Sequence, residues 1–558
     1  MLSTIRRRLP AMGPLFSPMP ALLGAIVLSG CGGSPSDDSP KDMYALSQSS
    51  VSCDAAPATV CEDVKLYATP INGTTSDFRP GWSERASDTR YQAIDHVYRD
   101  LQPDGRWQLS VGFATGLKAG TYTGTIEFGT NPVGDILVPL PKNSRTVSFS
   151  YRLVVAGDSI SRPLQAVPGA GDWNGWGGNA ARTGFVGVTV DPARIKPRWS
   201  RPLAGLAVDP LPAPVLTQGQ VVLPGLQLED AMVGDTLTVL SEADGTRVWG
   251  GSPIGKPDRV LPAGDRLVVA GAASADGKTT AMTVLARQDG AVRSQLSLDT
   301  VDMTDTWALS GDTLVLPDLR GEAVVARSLA DLNTVLWSAS AYTTPVGSGG
   351  LQRWGATIGN GLAYVNVGGR LRGLALTDGT RGVDIAVPAK APTLLLGTAL
   401  NQVPVLADAT TAVVITHREL RSGEGRDNQL SVVDLASGQV RWTASGRFMD
   451  LPVTAGGVVY ASNQATKAVE ARSLADGSLL WSWTMESGDE YFQRQMVLTN
   501  GHLFVSTNRQ VVAVDLVTHQ AVWRYASAGR LGMSANGTLM MLLDRGSGKA
   551  MLVTFDVR

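Results

Sequence analysis

The sequence predicts an all-β chain in which a β-sandwich precedes an eight-bladed β-propeller. Three observations carry this reading. A short phrase recurs seven times in the last two-thirds of the chain, at a period that suits one propeller blade. The stretch before it, residues 44–165, alternates apolar and polar positions with the period of half-buried strands. Composition agrees: 62 glycines and only 18% charged residues in 558 suit a chain of short strands and tight turns.

The phrase is an extended run, a small turn residue, and a tryptophan four positions later. It ends at Trp249, Trp337, Trp442, Trp481 and Trp523, with weaker copies ending at Ser294 and Val383. The turn residues are Gly245, Gly290, Asn333, Gly379, Gly438, Gly477 and His519. Successive spacings are 45, 43, 46, 59, 39 and 42 residues. Seven phrases end seven blades. The run around Trp199 has no blade before it, and the runs 538–543 and 550–555 have no phrase after them. Joining the two ends completes an eighth blade and removes two open sheet edges. Seven blades is the competing count, if the copies near Ser294 and Val383 share one blade. The tryptophans read as structural: each indole can pack on the neighbouring blade. Trp199, Trp249, Trp337, Trp442, Trp481 and Trp523 are therefore expected to dock blades rather than bind ligand.

In the front part, Trp107 to Phe113 and Thr146 to Val155 alternate as strands. Residues 116–128, with Gly120-Thr-Tyr122, resemble the penultimate hairpin region of immunoglobulin-like bacterial modules. That resemblance implies an immunoglobulin-like sandwich over 44–165. Residues 166–195 form a linker and the propeller entry, and 196–558 the propeller.

The N-terminus reads as an export signal over 1–30: Arg6, Arg7 and Arg8, then a short apolar core from Ala21 to Leu28. That core is too short to span a bilayer. Leu28-Ser-Gly-Cys31 resembles the lipobox of bacterial lipoproteins, which implies lipid on Cys31, cleavage before it and, with Gly32 next, sorting to the outer membrane. Periplasmic and surface-exposed orientations both remain open. The plain alternative is an ordinary signal peptide. Residues 31–43 are rich in Gly, Ser, Pro and Asp, a flexible tether. Cys53 and Cys61, the other two cysteines, are expected to form a disulfide in an exported chain.

Residues Trp173-Asn-Gly-Trp-Gly-Gly-Asn-Ala-Ala-Arg-Thr-Gly184 resemble the opening of pyrroloquinoline-quinone-like propellers, and the blade phrase fits that family too. Ala513, Asp515 and Trp523 match its pattern with His519 in the Gly slot. The resemblance implies two functions. One is a lipid-anchored, non-enzymatic propeller that binds envelope proteins, similar to the family's outer-membrane assembly lipoprotein, to which the sandwich would be an addition. The other is a periplasmic oxidoreductase using the quinone with calcium. The adjacent cysteines of many quinone enzymes have no counterpart here, because no cysteine follows Cys61. A third reading is a carbohydrate-binding or surface module, prompted by the sandwich.

Direct signs of chemistry are few. The four histidines, His96, His417, His502 and His519, stand at no motif spacing, so no catalytic residue is assigned. Asp299, Asp302 and Asp305 could offer oxygen ligands to a hard cation or form a solvated loop. With 48 basic and 50 acidic residues and no basic stripe, nucleic acid is excluded as partner. The interval from Val383 to Trp442 is the longest, and its excess is placed near residues 417–428. Loops grafted on propellers carry binding. His417, Arg418, Glu419, Arg421, Glu424 and Arg426 are thus the candidate partner-binding residues, against the plain reading of a tolerated insertion.

Overall fold

Alternation in the front part becomes two four-stranded sheets. A computed structural model describes residues 41–558 apart from 56–60, 62, 73, 75–79, 88–92, 115–116, 118, 130–143, 156–161, 206–213, 229–234, 273–278, 300–306, 318–322, 341–354, 368, 389–402, 417–426, 449–450, 494–495 and 545–548. One sheet runs Tyr44–Leu46, Val64–Pro70, Trp107–Phe113, Ile94–Leu101. The other runs Ser50–Ala55, Val147–Val155, Gly120–Gly129, Gly81–Ala86. In chain order this is the A-B-E-D and G-F-C arrangement of immunoglobulin-type sandwiches, with the first strand divided between both sheets. The inward positions meet in one core that includes Tyr44, Leu66, Leu109, Phe128, Phe149 and Tyr151. Cys53 and Cys61 are bonded, with their Cα atoms 6.2 Å apart. Closing so short a loop contributes about 2–3 kcal/mol.

The rest of the chain repeats one unit. Four antiparallel strands per blade occupy 215–251, 256–299, 308–340, 356–386, 405–446, 453–484 and 497–525. The closing blade takes Arg530–Met533, Thr538–Asp544 and Lys549–Asp556 from the C-terminal end and Lys196–Gly205 from the front. Strand 196–205 pairs antiparallel with 549–556, so both ends of the ring share one sheet. Among the described residues this makes eight blades. The copies ending at Ser294 and Val383 lie in separate blades, which overturns the seven-blade alternative.

Each tryptophan performs one task, and the next blade's turn receives it. Trp199 Nε1 donates to the Glu242 carbonyl, Trp249 to Arg287, Trp337 to Leu376 and Trp442 to Leu474, at 2.8–3.1 Å. Each ring then lies on the turn glycine three residues further on. A Cβ on Gly245, Gly290, Gly379 or Gly477 would stand 2.6–2.7 Å from the indole. These glycines also have φ between 69° and 76°, so the turn and the docked ring both exclude a side chain. Where the phrase is degenerate, the docked ring is missing, and in one of the two copies the receiving turn changes as well. Val383 replaces a tryptophan, and the space above Gly438 is open. Ser294 replaces another; its hydroxyl accepts from Leu332 N, and Asn333 fills the glycine slot. Trp481 meets His519 instead of glycine, and the two rings stack at 4.5 Å. Trp523 closes the series against Phe504, Tyr525 and Phe555.

The blades thus have two unlike ends. One carries the hairpins between first and second and between third and fourth strands. Its third-to-fourth turns are tied by an aspartate that accepts from main-chain N–H two residues on: Asp244, Asp289, Asp331, Asp378 and Asp476 in five blades. We call this the turn face. The other end, the loop face, carries the second-to-third and blade-to-blade connections. The long Val383–Trp442 interval divides between two of these. The outer strand ends at Ala386 and the next inner strand starts at Val405; the following hairpin leaves at Thr416 and returns at Asn428. The expected single insertion near 417–428 is corrected accordingly: the extra length is shared with the preceding connection.

The docking geometry sets a differential test. Gly290→Ala meets both a left-handed backbone and the Trp249 ring, and should cost about 2–4 kcal/mol. Gly438→Ala meets the backbone term alone, about 1–2 kcal/mol. Urea midpoints of the two variants check this; equal losses would contradict it. In the sandwich, the hydrogen bonds that His96 donates to the carboxylates of Asp63 and Asp95, the first the stronger, hold it charged and raise its pKa to about 9. Its folded value lies above the unfolded one, so its contribution is complete below about pH 6.5 and is lost as pH rises through about 9. Sandwich stability should decline across that window, and His96→Gln should flatten the decline.

Candidate binding site at the centre of the ring

Residues 173–191 precede the ring in sequence and thread its centre. The inner strands of five blades donate a main-chain hydrogen bond to this segment: Leu216 N to Trp173 O, Ile358 N to Ala180 O, Leu406 N to Ala181 O, Thr454 N to Thr183 O and Leu498 N to Gly184 O, at 2.8–3.0 Å. Val186 N returns one to Leu498 O. These strand edges are exposed in the blade itself, because an inner strand pairs on one side only. The threading segment satisfies them. Gly177 and Gly178 are required locally: a Cβ on either would collide with Arg182 or with the buried Trp173 at 2.8 Å.

Arg182 locks the segment in place. Its backbone is left-handed, with φ 59°, and its side chain is 6% exposed. The guanidinium donates to the carbonyls of Trp176, Trp307 and Ala356 at 2.7–3.1 Å, and lies 5.6 Å from the Trp176 ring centroid. It thereby ties the start of blades three and four to the segment. A cleft remains beside it, on the side of blades one to three. Its walls are Trp176, Trp307, Val215 and Val260, with Arg182, Arg259 and Asp258 as charged groups. Trp307 is 2% exposed, and its indole N–H has no partner.

The sequence signalled this segment only as a likeness and as glycine turns. It gave no reason to single out Arg182, Trp307, Arg259 or Asp258. Their signal, a buried guanidinium among main-chain carbonyls, exists only once the ring closes. The six tryptophans expected to dock blades do pack against neighbouring elements. His417, Arg418, Glu419, Arg421, Glu424 and Arg426 lie outside the described residues, as do Cys31, Asp302 and Asp305. Asn428, at the rim of that connection, is 3% exposed and exchanges hydrogen bonds with Phe448 main chain. His502 is buried beside Asp515, 3.5 Å away, and burial lowers its pKa. His96 and His519 are placed structurally, as above.

Residues 306–483 match the sequence family described as "Outer membrane protein assembly factor BamB". That span coincides with blades three to six. The match covers four of the eight blades of the β-propeller. Similar solved structures include BamB from Moraxella catarrhalis, with 14% identity and TM-score 0.48, covering 65% of this chain and 99% of that one. Quinohemoprotein alcohol dehydrogenase from Comamonas testosteroni has 12% identity and TM-score 0.47, covering 69% and 80%. Quinohemoprotein alcohol dehydrogenase ADHIIG from Pseudomonas putida HK5 has 10% identity and TM-score 0.44, also covering 69% and 80%. No curated protein matches the chain.

A calcium-held quinone was tested against the cleft on its donor set. Calcium takes six to eight oxygen ligands. The cleft lining offers one carboxylate, Asp258, and Arg259 pairs with it at 3.4 Å. No group of three His, Cys, Asp or Glu among the described residues is placed to share a metal. The described residues of the cleft do not fit that pair.

Arg182→Lys tests the lock. A lysine keeps the charge and can reach one carbonyl, leaving buried acceptors unpaired at a cost of at least about 2 kcal/mol. The expected result is a lower urea midpoint and faster amide exchange at Ile358 and Leu406. Unchanged exchange at both would contradict the assignment.

Proposed function

We propose that this protein is an envelope-anchored, non-enzymatic scaffold whose propeller binds another protein through its loop face. The observation that carries the reading is the match of four central blades to the BamB family, whose description names outer-membrane protein assembly. Two features support it. The turn face is built from short aspartate-tied hairpins that leave little to vary, whereas the loop face holds the long connections and the cleft. The leader with Cys31 after Leu-Ser-Gly supplies an anchor at the outer membrane. In this proposal residues 1–30 are removed, 31–43 tether the chain, 44–165 form an immunoglobulin-like module and 196–558 the scaffold. The segment 166–195 does more than link: it fills the centre of the ring. Residues 417–426 belong to the binding surface, at the rim of blade five.

Site-specific photocrosslinking in the envelope tests this. A crosslinker at Asp427, which is exposed beside the connection, should capture one specific protein, and Cys31→Ser should abolish the capture by releasing the chain from the membrane. The same probe at Val517, 83% exposed on the turn face, should capture none. Capture from Val517 and not from Asp427 would reject the loop face. Quinone-dependent dye reduction by the pure protein would reject the non-enzymatic reading.

A further inference from the structure

Among the described residues, seven blades take all four strands from one stretch of the chain. The closing blade alone joins distant stretches, and its sheet is sealed where Lys196–Gly205 pairs with Lys549–Asp556. That seam is a poor ladder. Pro197 and Pro202 lie in the first of these strands and have no N–H to donate. The pairing also shifts register between Pro197 and Ser200.

Residues 162–172 run across the seam. On its C-terminal side, Arg162 donates to both carboxylate oxygens of Asp556 at 2.7–3.2 Å and to the Asn536 carbonyl at 2.9 Å. Val167 N–H donates to the Ala535 carbonyl, and Arg558 Nη1 to the Gln165 carbonyl, both at 2.8 Å. On its N-terminal side, Arg198 of strand Lys196–Gly205 donates to the Arg162 carbonyl at 2.6 Å. Gln218 N–H, in the first hairpin of blade one, donates to Asp172 Oδ2 at 2.5 Å. Arg162 stands at the crossing: its side chain holds the last strand of the ring and its carbonyl the first.

The hold is shallow. None of residues 162–172 is fully buried, and none lies in a helix or strand. Val167 and Ala170 pack on the core from its edge, whereas Trp173, Val186 and Val188, further along, are inside it. Few apolar contacts and hydrogen bonds near solvent put a segment at the low end of local stability. This stretch can let go while the ring stays folded.

We infer that residues 162–172 are a releasable latch on the ring. Fastened, they hold the seam shut. Released, they let Lys196–Gly205 part from Lys549–Asp556 while the other seven blades keep their sheets. The latch is also the chain that joins the sandwich to the ring, so a pull on the sandwich reaches the seam through Arg162. The inference rests on these bonds and not on the binding role proposed above.

Amide exchange read by mass spectrometry on the full-length chain tests this, with Arg162→Ala and Asp172→Ala as two ways of releasing the latch. Asp172→Ala frees one end and strands no buried charge, so it decides alone if Arg162→Ala does not fold. Exchange in 196–205 and 549–556 should rise about tenfold in Arg162→Ala and about threefold in Asp172→Ala. Strands Thr411–Thr416 and Asn428–Asp434 of blade five should stay within about twofold of the unaltered chain. A rise in Arg162→Ala with Asp172→Ala unchanged would mark a stranded Asp556 charge and overturn the latch. A rise of equal size in blade five would mark general destabilisation and overturn it too.

Discussion

The indole of one blade seated on the turn of the next is the contact on which the ring depends. It couples three requirements at one point. The ring removes a large apolar surface from water, roughly 150–250 Å² per indole and several kcal/mol before entropy is charged. Its N–H satisfies a carbonyl at the end of a third strand, where no sheet partner exists. Its face forbids a side chain on the residue that must turn with positive φ. A blade that lacks the tryptophan loses all three at once. Below Ser294 the receiving turn has changed to Asn333, whereas below Val383 the turn keeps Gly438 with open space above it.

Ring closure adds a buried carboxylate to the junction. Residues Leu329, Leu376, Leu435, Leu474 and Leu516 follow the third strand in five blades; in blade one that place is Glu242. Glu242 is fully buried and accepts from Ser534 Oγ at 2.5 Å and Asn536 Nδ2 at 2.9 Å, both on the closing blade. Burial raises its pKa despite those donors. Beside it, Arg162 donates to both oxygens of Asp556 on the last strand and to the Asn536 carbonyl. Arg198, on the first strand of the ring, donates to the Arg162 and Ala243 carbonyls. The chain leaving the sandwich is thus bonded to both ends of the ring from Arg162 onward. Such a network adds little net stability over apolar packing, yet removing one member strands a buried charge.

The sequence revealed the parts that repeat. Tryptophans at a period near 45 residues identified the blades, and the unpaired runs at both ends predicted a shared closing sheet. Alternation predicted the sandwich, and the expected export of the chain predicted the bond between Cys53 and Cys61. The centre was not legible, for a physical reason. Arg182 matters through contacts with blades up to about 170 residues away, and it belongs to no repeated pattern. The extra length after Val383 was misassigned because a spacing between two tryptophans cannot say which of two connections is long.

The relay can be tested by building a missing link. Val383 already faces a receiving turn with Gly438 and open space above it, and Leu435 holds the place of the acceptor carbonyl. Ser294 faces a turn where Asn333 fills the slot. The decisive measurement is the urea midpoint of Val383→Trp beside that of Ser294→Trp. If docking on the next turn organises the ring, Val383→Trp raises the midpoint and Ser294→Trp lowers it. Equal losses in both would contradict the account.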